Sequence, residues 1–278
     1  MATDLLLVMD APHVRLDAAL VARGHARSRA QAHDLIAADR VLVGGVPARK
    51  SSQRVTSEVP IVVLGEVDPW VGRAAYKLLG ALETFGPQGL RVTGRRCLDV
   101  GASTGGFTQV LLAAAAAHVV ALDVGHGQLV PTLAGDTRVD NREGVNIRDV
   151  TAADFPWPFD IVVADVSFIS LTLVVPVLPA LLADDADVVV LVKPQFEVGR
   201  AALGKGGVVG SARARADAVH DVVGVAMTAG LIVRDIMVSP LPGSAGNREY
   251  VLWMSTGDAA GLTATAVDEK VAAMEDAL

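Results

Sequence analysis

Four ionisable residues occupy positions where a folded chain could bring them together. Asp165 directly follows the apolar run FDIVVA, and Lys193 directly follows DVVVLV. Because the carboxyl ends of parallel strands meet in one crevice, we expect these two side chains to be neighbours. Glu249 precedes a late apolar run and joins them if that strand is antiparallel, while Lys77 reaches them from the helix before the sheet. Singly, such residues are typical of solvated lysines and helix caps, so the interpretation rests on their joint occurrence.

A glycine-rich turn, CLDVGASTGGFTQV, links the first strand of the predicted sheet to a helix. Its glycines let the backbone approach a ligand where side chains would collide. The spacing is not G-x-G-x-x-G, so a nicotinamide dinucleotide is a weaker alternative, and a tight turn without a ligand is a third. Asp99, before the glycines, suits the ammonium of S-adenosylmethionine, and Asp123, at the end of the second strand, suits the hydroxyls of a ribose.

This arrangement resembles class I methyltransferases. The resemblance implies S-adenosyl-L-methionine as the cofactor, with Glu143 and Asn146 as weaker candidates for the adenosine side. The other expected cofactor contacts lie along the turn: Gly101, Ser103, Thr104, Gly105, Gly106 and Phe107.

Strands and helices alternate from Arg96 onward, which predicts an α/β fold with a mostly parallel, doubly wound sheet. Two closing strands joined by SPLPGSAGN predict an antiparallel hairpin at one edge. The predicted organisation is a small α+β head over 13–64, a linker over 65–72, a methyltransferase domain over 73–257 with a Rossmann-like sheet, and a tail over 258–278.

The head is basic although the whole chain has a net charge of −7. From His13 to Glu58 there are seven arginines and one lysine against four acidic residues, which indicates a polyanionic partner; a solvated charged face is the alternative. Helices over 15–24 and 29–40, the second capped by Ser28, precede a hairpin around Gly44 and Gly45. RLDAALVARGHARSRAQAHDLIAADRVLVGGVPARK resembles the S4 RNA-binding domain, and the resemblance implies RNA contacts from Arg15, Arg23, Arg27, Arg29, Arg40, Arg49 and Lys50.

A second basic segment follows Lys193 in VGRAALGKGGVVG. Arg200 and Lys205, with Arg213 and Arg215 beyond them, are expected to track an RNA backbone or to close over a flipped nucleotide. A crossover loop without a ligand is the alternative.

Composition excludes several classes of protein. Cys97 is the single cysteine and the six histidines are scattered, so we expect no disulfide and no metal site. The stretch from Val166 to Ala183 has no charge over 18 residues, but Pro176 and Pro179 interrupt it, and we expect a strand end, a loop and a core helix there. With no basic start that would predict a signal peptide, we expect a soluble, cytoplasmic protein that does not act on membranes, with a monomer favoured.

The order lysine, aspartate, lysine, glutamate matches the tetrad of ribose 2′-O-methyltransferases. A ribose hydroxyl is a poor nucleophile until its proton is removed, so such an enzyme needs a base and precise placement but no metal. Lys193 is the favoured base, Lys77 the group that positions the hydroxyl or stabilises negative charge, and Asp165 and Glu249 orient the two amines. The choice between the two lysines as base stays open.

More fully, the chain resembles the TlyA family through RCLDVGASTGGFT, ADVSFIS, LVKPQFEVG, GGVV and SPLPGSAGNREY. That resemblance implies methylation of cytidine ribose in ribosomal RNA within the large ribosomal subunit and, in some members, also the small one. The first twelve residues are apolar and acidic where a basic start is expected, which puts the small-subunit target in doubt. The alternatives are a membrane-active haemolysin and an RNA-binding protein with an inactive methyltransferase fold.

Overall fold

The computed structural model describes residues 13–26, 29–65, 68–199, 202–243, 245–258 and 260–276. The chain divides into two compact units, with the boundary between Pro69 and Trp70. Each unit has its own hydrophobic core.

The first unit is a small α+β domain. Its elements are β1 (Val14–Arg15), α1 (Leu16–Ala22), α2 (Arg29–Ala37), β2 (Val41–Val43), β3 (Val46–Pro47), β4 (Arg54–Val55) and β5 (Ile61–Val63). β3, β2 and β5 form an antiparallel sheet, and β1 pairs with β4. Leu16, Leu20 and Leu35 are buried between the helices and the sheet. The predicted helix, helix and hairpin are therefore confirmed, while the predicted cap at Ser28 lies outside the described residues.

The second unit is built on a seven-stranded sheet. Its elements are α3 (Ala74–Phe85), β6 (Arg96–Val100), α4 (Gly106–Ala113), β7 (His118–Asp123), α5 (Pro131–Ala134), β8 (Val139–Glu143), β9 (Phe159–Ala164), β10 (Leu182–Val192), α6 (Pro194–Glu197), α7 (Ala212–Thr228), β11 (Ile232–Val238), β12 (Tyr250–Ser255) and α8 (Ala264–Asp276). The strand order is β11-β12-β10-β9-β6-β7-β8.

The sheet is parallel except at β12, which is inserted antiparallel between β10 and β11. Both faces are covered by apolar clusters, one including Leu98 and Val190 and the other Phe107 and Trp253. This burial explains why β9 and β10 read as continuous aliphatic runs. The predicted α/β class and the antiparallel edge hairpin are confirmed.

Two segments differ from the predicted elements. The core helix expected before Ala183 is replaced by 3₁₀ turns over Leu171–Leu173 and Val175–Leu181, because prolines at 176 and 179 lack the N–H groups that an α-helix needs. No helix among the described residues has the length and apolar character to cross a membrane. The segment predicted as a tail contains α8, whose Val267 and Val271 pack into the core.

Candidate active site

Asp165 and Lys193 lie together at the carboxyl ends of two neighbouring parallel strands. β9 ends at Ala164 and β10 ends at Val192, so each residue is the first to leave its strand. The Lys193 Nζ lies 2.6 Å from Asp165 Oδ1 and donates a 2.9 Å hydrogen bond to Ser167 Oγ. Because Lys193 is buried, its amine is confined to this crevice.

Lys77 and Glu249 form a second buried ion pair. The Lys77 Nζ, presented by α3, lies 2.6 Å from Glu249 Oε2. β12 runs antiparallel to β10, and Tyr250 lies opposite Val192. Glu249, the residue before Tyr250, therefore lies beside Lys193, the residue after Val192. The structure thus brings the four predicted residues to the same edge of the sheet.

The two ion pairs place two ammonium groups and two carboxylates in the same buried region. Removing charges from water opposes the attraction between them, so buried ion pairs contribute little net stability. Ionisable groups gathered in a cleft at this expense are typical of functional sites. The arrangement can hold a polar substrate between two amines and can move a proton to or from it.

A cleft of about 800 Å³ opens beside the first pair. Asp165 and Ser167 line it together with four residues predicted to hold the cofactor, namely Gly101, Ser103, Asp123 and Asn146. Gly101 has φ +82°, and a Cβ there would lie 2.8 Å from the Asp165 carbonyl oxygen. This glycine is required both by its backbone conformation and by the close approach of the two strand ends.

Asp99 lies beneath the glycine-rich turn, 0% exposed, and does not line the cleft. Its Oδ2 accepts a 2.6 Å hydrogen bond from Thr108 Oγ1, whereas its buried Oδ1 has no hydrogen-bond partner among the residues that the structure describes. Burial raises the pKa of this carboxyl to about 7. A buried oxygen without a donor is a place where a ligand's N–H groups would be accepted.

The acidic residues at the ends of β7 and β8 accept hydrogen bonds from the backbone of nearby loops. Asp123 accepts hydrogen bonds from the backbone N–H groups of Ser103 (2.8 Å) and Gly125 (2.7 Å). Glu143 accepts from the backbone N–H groups of Gly127 and Gln128. The hydrogen bond from Gly127 lowers the pKa of Glu143, which is committed to bracing the loop at the cleft edge and does not line the cleft.

Of the other residues predicted to bind the cofactor, one lines the cleft and the rest lie in the core, at the surface or at the start of α4. Asn146 lines the cleft, although its side chain accepts a hydrogen bond from the Arg148 N–H. Phe107 is part of the apolar core, and Gly106 allows α4 to pack closely on α3. Thr104 is exposed outside the residues that line the cleft, and Gly105, at φ +99°, is the N-cap that precedes α4.

Comparison with known proteins decides the family. Residues 70–256 match the FtsJ-like methyltransferase family, and residues 14–61 match the S4 domain. The 16S/23S rRNA (cytidine-2′-O)-methyltransferase TlyA of Mycobacterium tuberculosis is 48% identical over 94% of this chain and 97% of its own length. The chain belongs to the TlyA family.

Other similar proteins carry different descriptions. The 23S rRNA (cytidine-2′-O)-methyltransferase TlyA of Campylobacter jejuni is 33% identical over 70% of this chain and 74% of its own length. Hemolysin A of Brachyspira hyodysenteriae is 36% identical over 86% and 98%. A solved Streptococcus thermophilus structure, described as a hemolysin, has a TM-score of 0.74 at 34% identity and covers 95% of this chain and 96% of its own.

In the S4 domain several predicted RNA contacts are used within the fold. The Arg23 guanidinium donates to the carbonyl oxygens of Thr56, Ser57 and Val59, so it braces a turn. Arg15 and Arg29 both pair with Asp17, at 2.9 and 3.0 Å. The hydrogen bond from Arg15 holds the pKa of the Asp17 carboxyl well below its usual range. Arg40 donates to the Leu64 carbonyl oxygen.

Arg49 and Lys50 are the predicted RNA contacts of the S4 domain that lie most clearly at its surface. Both are exposed and line a recess of about 280 Å³ together with His33. Arg49 also pairs with the exposed Asp39 at 2.6 Å. Arg27 lies outside the described residues.

The second predicted basic segment is partly exposed and partly buried. Lys205 and Arg213 are exposed, whereas Arg215 is buried and bonded to Glu275 of α8. The expectation that Arg215 tracks an RNA backbone is therefore wrong, because its guanidinium is enclosed by its own domain. Arg200 lies outside the described residues.

Three further residues at the site were not predicted. Ser167 accepts the hydrogen bond from Lys193, and Gln195 Nε2 lies 3.4 Å from Glu249 Oε1. Phe168 is 92% exposed at the cleft with φ +64°, and its ring centroid lies 5.2 Å from that of Phe196. Their signal in the sequence is position alone, since each follows a predicted strand end within four residues.

Proposed function

We propose that this protein transfers a methyl group from S-adenosylmethionine to the ribose 2′-oxygen of a cytidine in ribosomal RNA. The observation that carries the proposal is the pair of buried 2.6 Å ion pairs, Lys193 with Asp165 and Lys77 with Glu249, at the strand ends beside the cleft. An amine at each side of a substrate oxygen suits the activation of a hydroxyl, for which no metal is needed.

The residues around the cleft fit S-adenosylmethionine, which when bound supplies an electrophilic methyl group. Asp123, at the end of β7, stands where a ribose diol is accepted in sheets of this type. Gly101 leaves room for backbone contact at the cleft, whereas Asp99 Oδ1 is fully buried and could accept an ammonium only when the glycine-rich turn above it opens. Asn146 would face the adenosine side.

Lys193 is assigned as the base. As a neutral amine it would take the proton from the 2′-hydroxyl, and the ammonium so formed would remain beside Asp165. Lys77 would donate a hydrogen bond to the same oxygen as negative charge develops, with Glu249 holding its amine in place. The alternative assignment exchanges the two lysines.

The RNA substrate is supported by the S4 domain and by its exposed Arg49 and Lys50. The Mycobacterium tuberculosis relative acts on 16S and 23S RNA by its description, and the Campylobacter jejuni relative on 23S RNA. The large subunit is common to both, so it is the target we assign first; the small subunit is a second substrate to be tested alongside it.

The decisive experiment measures transfer of labelled methyl from S-adenosylmethionine to unmodified large and small ribosomal subunits. The parent protein is expected to label the large subunit, and Lys193→Ala to lose at least about a hundredfold in rate, since general-base groups contribute on that order. The matched control is Arg138→Ala, a basic residue outside the cleft whose partner Asp136 lies close to it in the chain.

Failure of the parent protein to label either subunit would overturn the function. Binding of RNA without transfer would favour the alternative of an inactive methyltransferase fold. Transfer by Lys193→Ala at the parental rate would leave the function standing and remove Lys193 as the base, which makes Lys77→Ala the next variant.

A further inference from the structure

Asn247 lies two residues before Glu249, in the loop between β11 and β12, and is 3% exposed. Its side-chain Oδ1 accepts a 2.9 Å hydrogen bond from the Val209 N–H, and its Nδ2 donates a 3.0 Å bond to the Gly207 carbonyl oxygen. Both partners belong to the segment over 202–210, which we call the glycine turn. The buried amide therefore bridges two backbone segments far apart in sequence.

The backbone of Asn247 is also tied to the catalytic carboxylate. Its carbonyl oxygen accepts a 2.8 Å hydrogen bond from the Gly243 N–H. A Cβ at Gly243 would lie 2.5 Å from Glu249 Oε1, so this backbone packs directly against the carboxylate that holds Lys77. Asn247 thus connects the backbone that packs against Glu249 with the glycine turn.

The backbone of the glycine turn, which carries Lys205, is held by hydrogen bonds. Gly206 and Gly207 have φ of +77° and +76°, which other residues rarely adopt. Arg215 donates to the carbonyl oxygens of Val209 and Gly210 at 3.1 Å each, which holds the far end of the turn. Lys205 itself is exposed, so its ammonium is presented to solvent.

We propose that Asn247 is a positioning residue that sets Lys205 at a fixed distance from Glu249, so that Lys205 holds an RNA phosphate next to the ribose being methylated. Lys205 is two residues from Gly207, and Glu249 is two residues from Asn247, so each lies within about 7 Å of the bridge along the chain. The inference rests on the proposed function, because it requires a ribose at the Lys77–Glu249 pair.

The test is a double-substitution cycle with Asn247→Ala and Lys205→Ala, measured as methyl transfer to unmodified large subunits. Each single variant is expected to raise the KM for subunits by about tenfold, the size of one charge-assisted hydrogen bond. In the Lys205→Ala background, Asn247→Ala should raise that KM by less than about threefold, because the positioned group is already missing. The affinity for S-adenosylmethionine should stay at the parental value, since neither segment lines the cleft.

If the double variant raised KM by the product of the two single effects, the proposal would be overturned. A parental KM for Asn247→Ala would overturn it as well. If Asn247→Ala does not fold, Asn247→Asp serves instead, because it keeps the acceptor for Val209 and places a second oxygen against the Gly207 carbonyl. Hydrogen exchange of the Val209 amide in the parent gives an independent check: slow exchange is expected, and exchange at the rate of an unprotected amide would show that the bridge is absent.

The two proposals fail separately. A parent protein that labels no subunit overturns the function, whereas an active parent whose Asn247 variants keep its KM overturns only the positioning role.

Discussion

The Asp99 carboxyl is fully buried beneath the glycine-rich turn, and burial raises its pKa to about 7. A nearby ligand ammonium would favour the ionised form, so binding would lower this pKa and release a proton. Below pH 7 the folded protein without a ligand holds that proton, and the ligand must displace it. At the scale of the residue, the proposed contact between this carboxyl and the cofactor ammonium would therefore link the affinity for S-adenosylmethionine to pH.

The Kd for S-adenosylmethionine is expected to rise as pH falls from 8 to 6, by up to about tenfold per unit below pH 7. Asp99→Asn should bind more weakly at pH 8 and show a flat profile, because it cannot ionise. Calorimetry in buffers of different ionisation enthalpy measures both the affinity and the released proton. A pH dependence that is unchanged in Asp99→Asn would assign the titration to another group.

The helices α7 and α8 show how elements remote from the cleft support it. Arg215 of α7 and Glu275 of α8 form a buried pair, with Arg215 Nε 3.0 Å from Glu275 Oε2, and the Tyr250 hydroxyl donates to the same carboxylate. Tyr250 directly follows Glu249 at the start of β12. At this scale α8 is an integral layer of the second unit, and its loss would expose the face of the sheet that it covers, including β10 and β12.

Glu275→Ala is expected to lower the free energy of unfolding by about 3–5 kcal/mol, because it leaves the Arg215 guanidinium buried without its carboxylate. The matched control is Glu269→Ala, an exposed acidic residue of the same helix, which should change stability by less than about 0.5 kcal/mol. Urea unfolding of both variants measures the difference. Equal stabilities for the two variants would show that α8 does not depend on the buried pair.

Charge is distributed unevenly over the whole molecule. The chain has a net charge of −7, yet the segment that forms the S4 domain carries an excess of arginine and lysine. An acidic protein is repelled by RNA at long range, so the basic surface has to supply the attraction locally. We therefore expect the S4 domain to govern affinity for the subunit and the FtsJ-like domain to govern the reaction.

Replacing Arg49 and Lys50 with alanine should weaken subunit binding and reduce the slope of log K against log salt by about 0.7–0.9 for each RNA phosphate that the variant leaves without a cation. The rate at saturating subunit should change little. Arg138→Ala is the control, since Arg138 pairs with Asp136 at the opposite end of the sheet from the cleft. Filter binding over a range of salt concentrations measures the slope; a slope equal to the parent's would exclude the recess beside His33 as the RNA-binding surface.

Local pattern was sufficient for much of the fold. The aliphatic runs of β9 and β10 predicted a buried parallel sheet, and the glycine-rich turn between β6 and α4 was predicted with its acidic flanks. These features depend on side-chain polarity and on backbone freedom over a few residues, which the sequence displays directly. Position at strand ends also predicted that Asp165, Lys193 and Glu249 would be neighbours.

Only the tertiary structure decided which partners those residues have. Nothing in the sequence distinguished Arg215, buried against Glu275, from the exposed Arg213, and nothing showed that Arg23 is occupied by three carbonyl oxygens. The same holds for Asn247, whose amide contacts lie about 40 residues earlier in the chain. A side chain's burial and hydrogen bonds depend on segments that meet only when the chain has folded, so local patterns name the candidate groups and long-range packing assigns their roles.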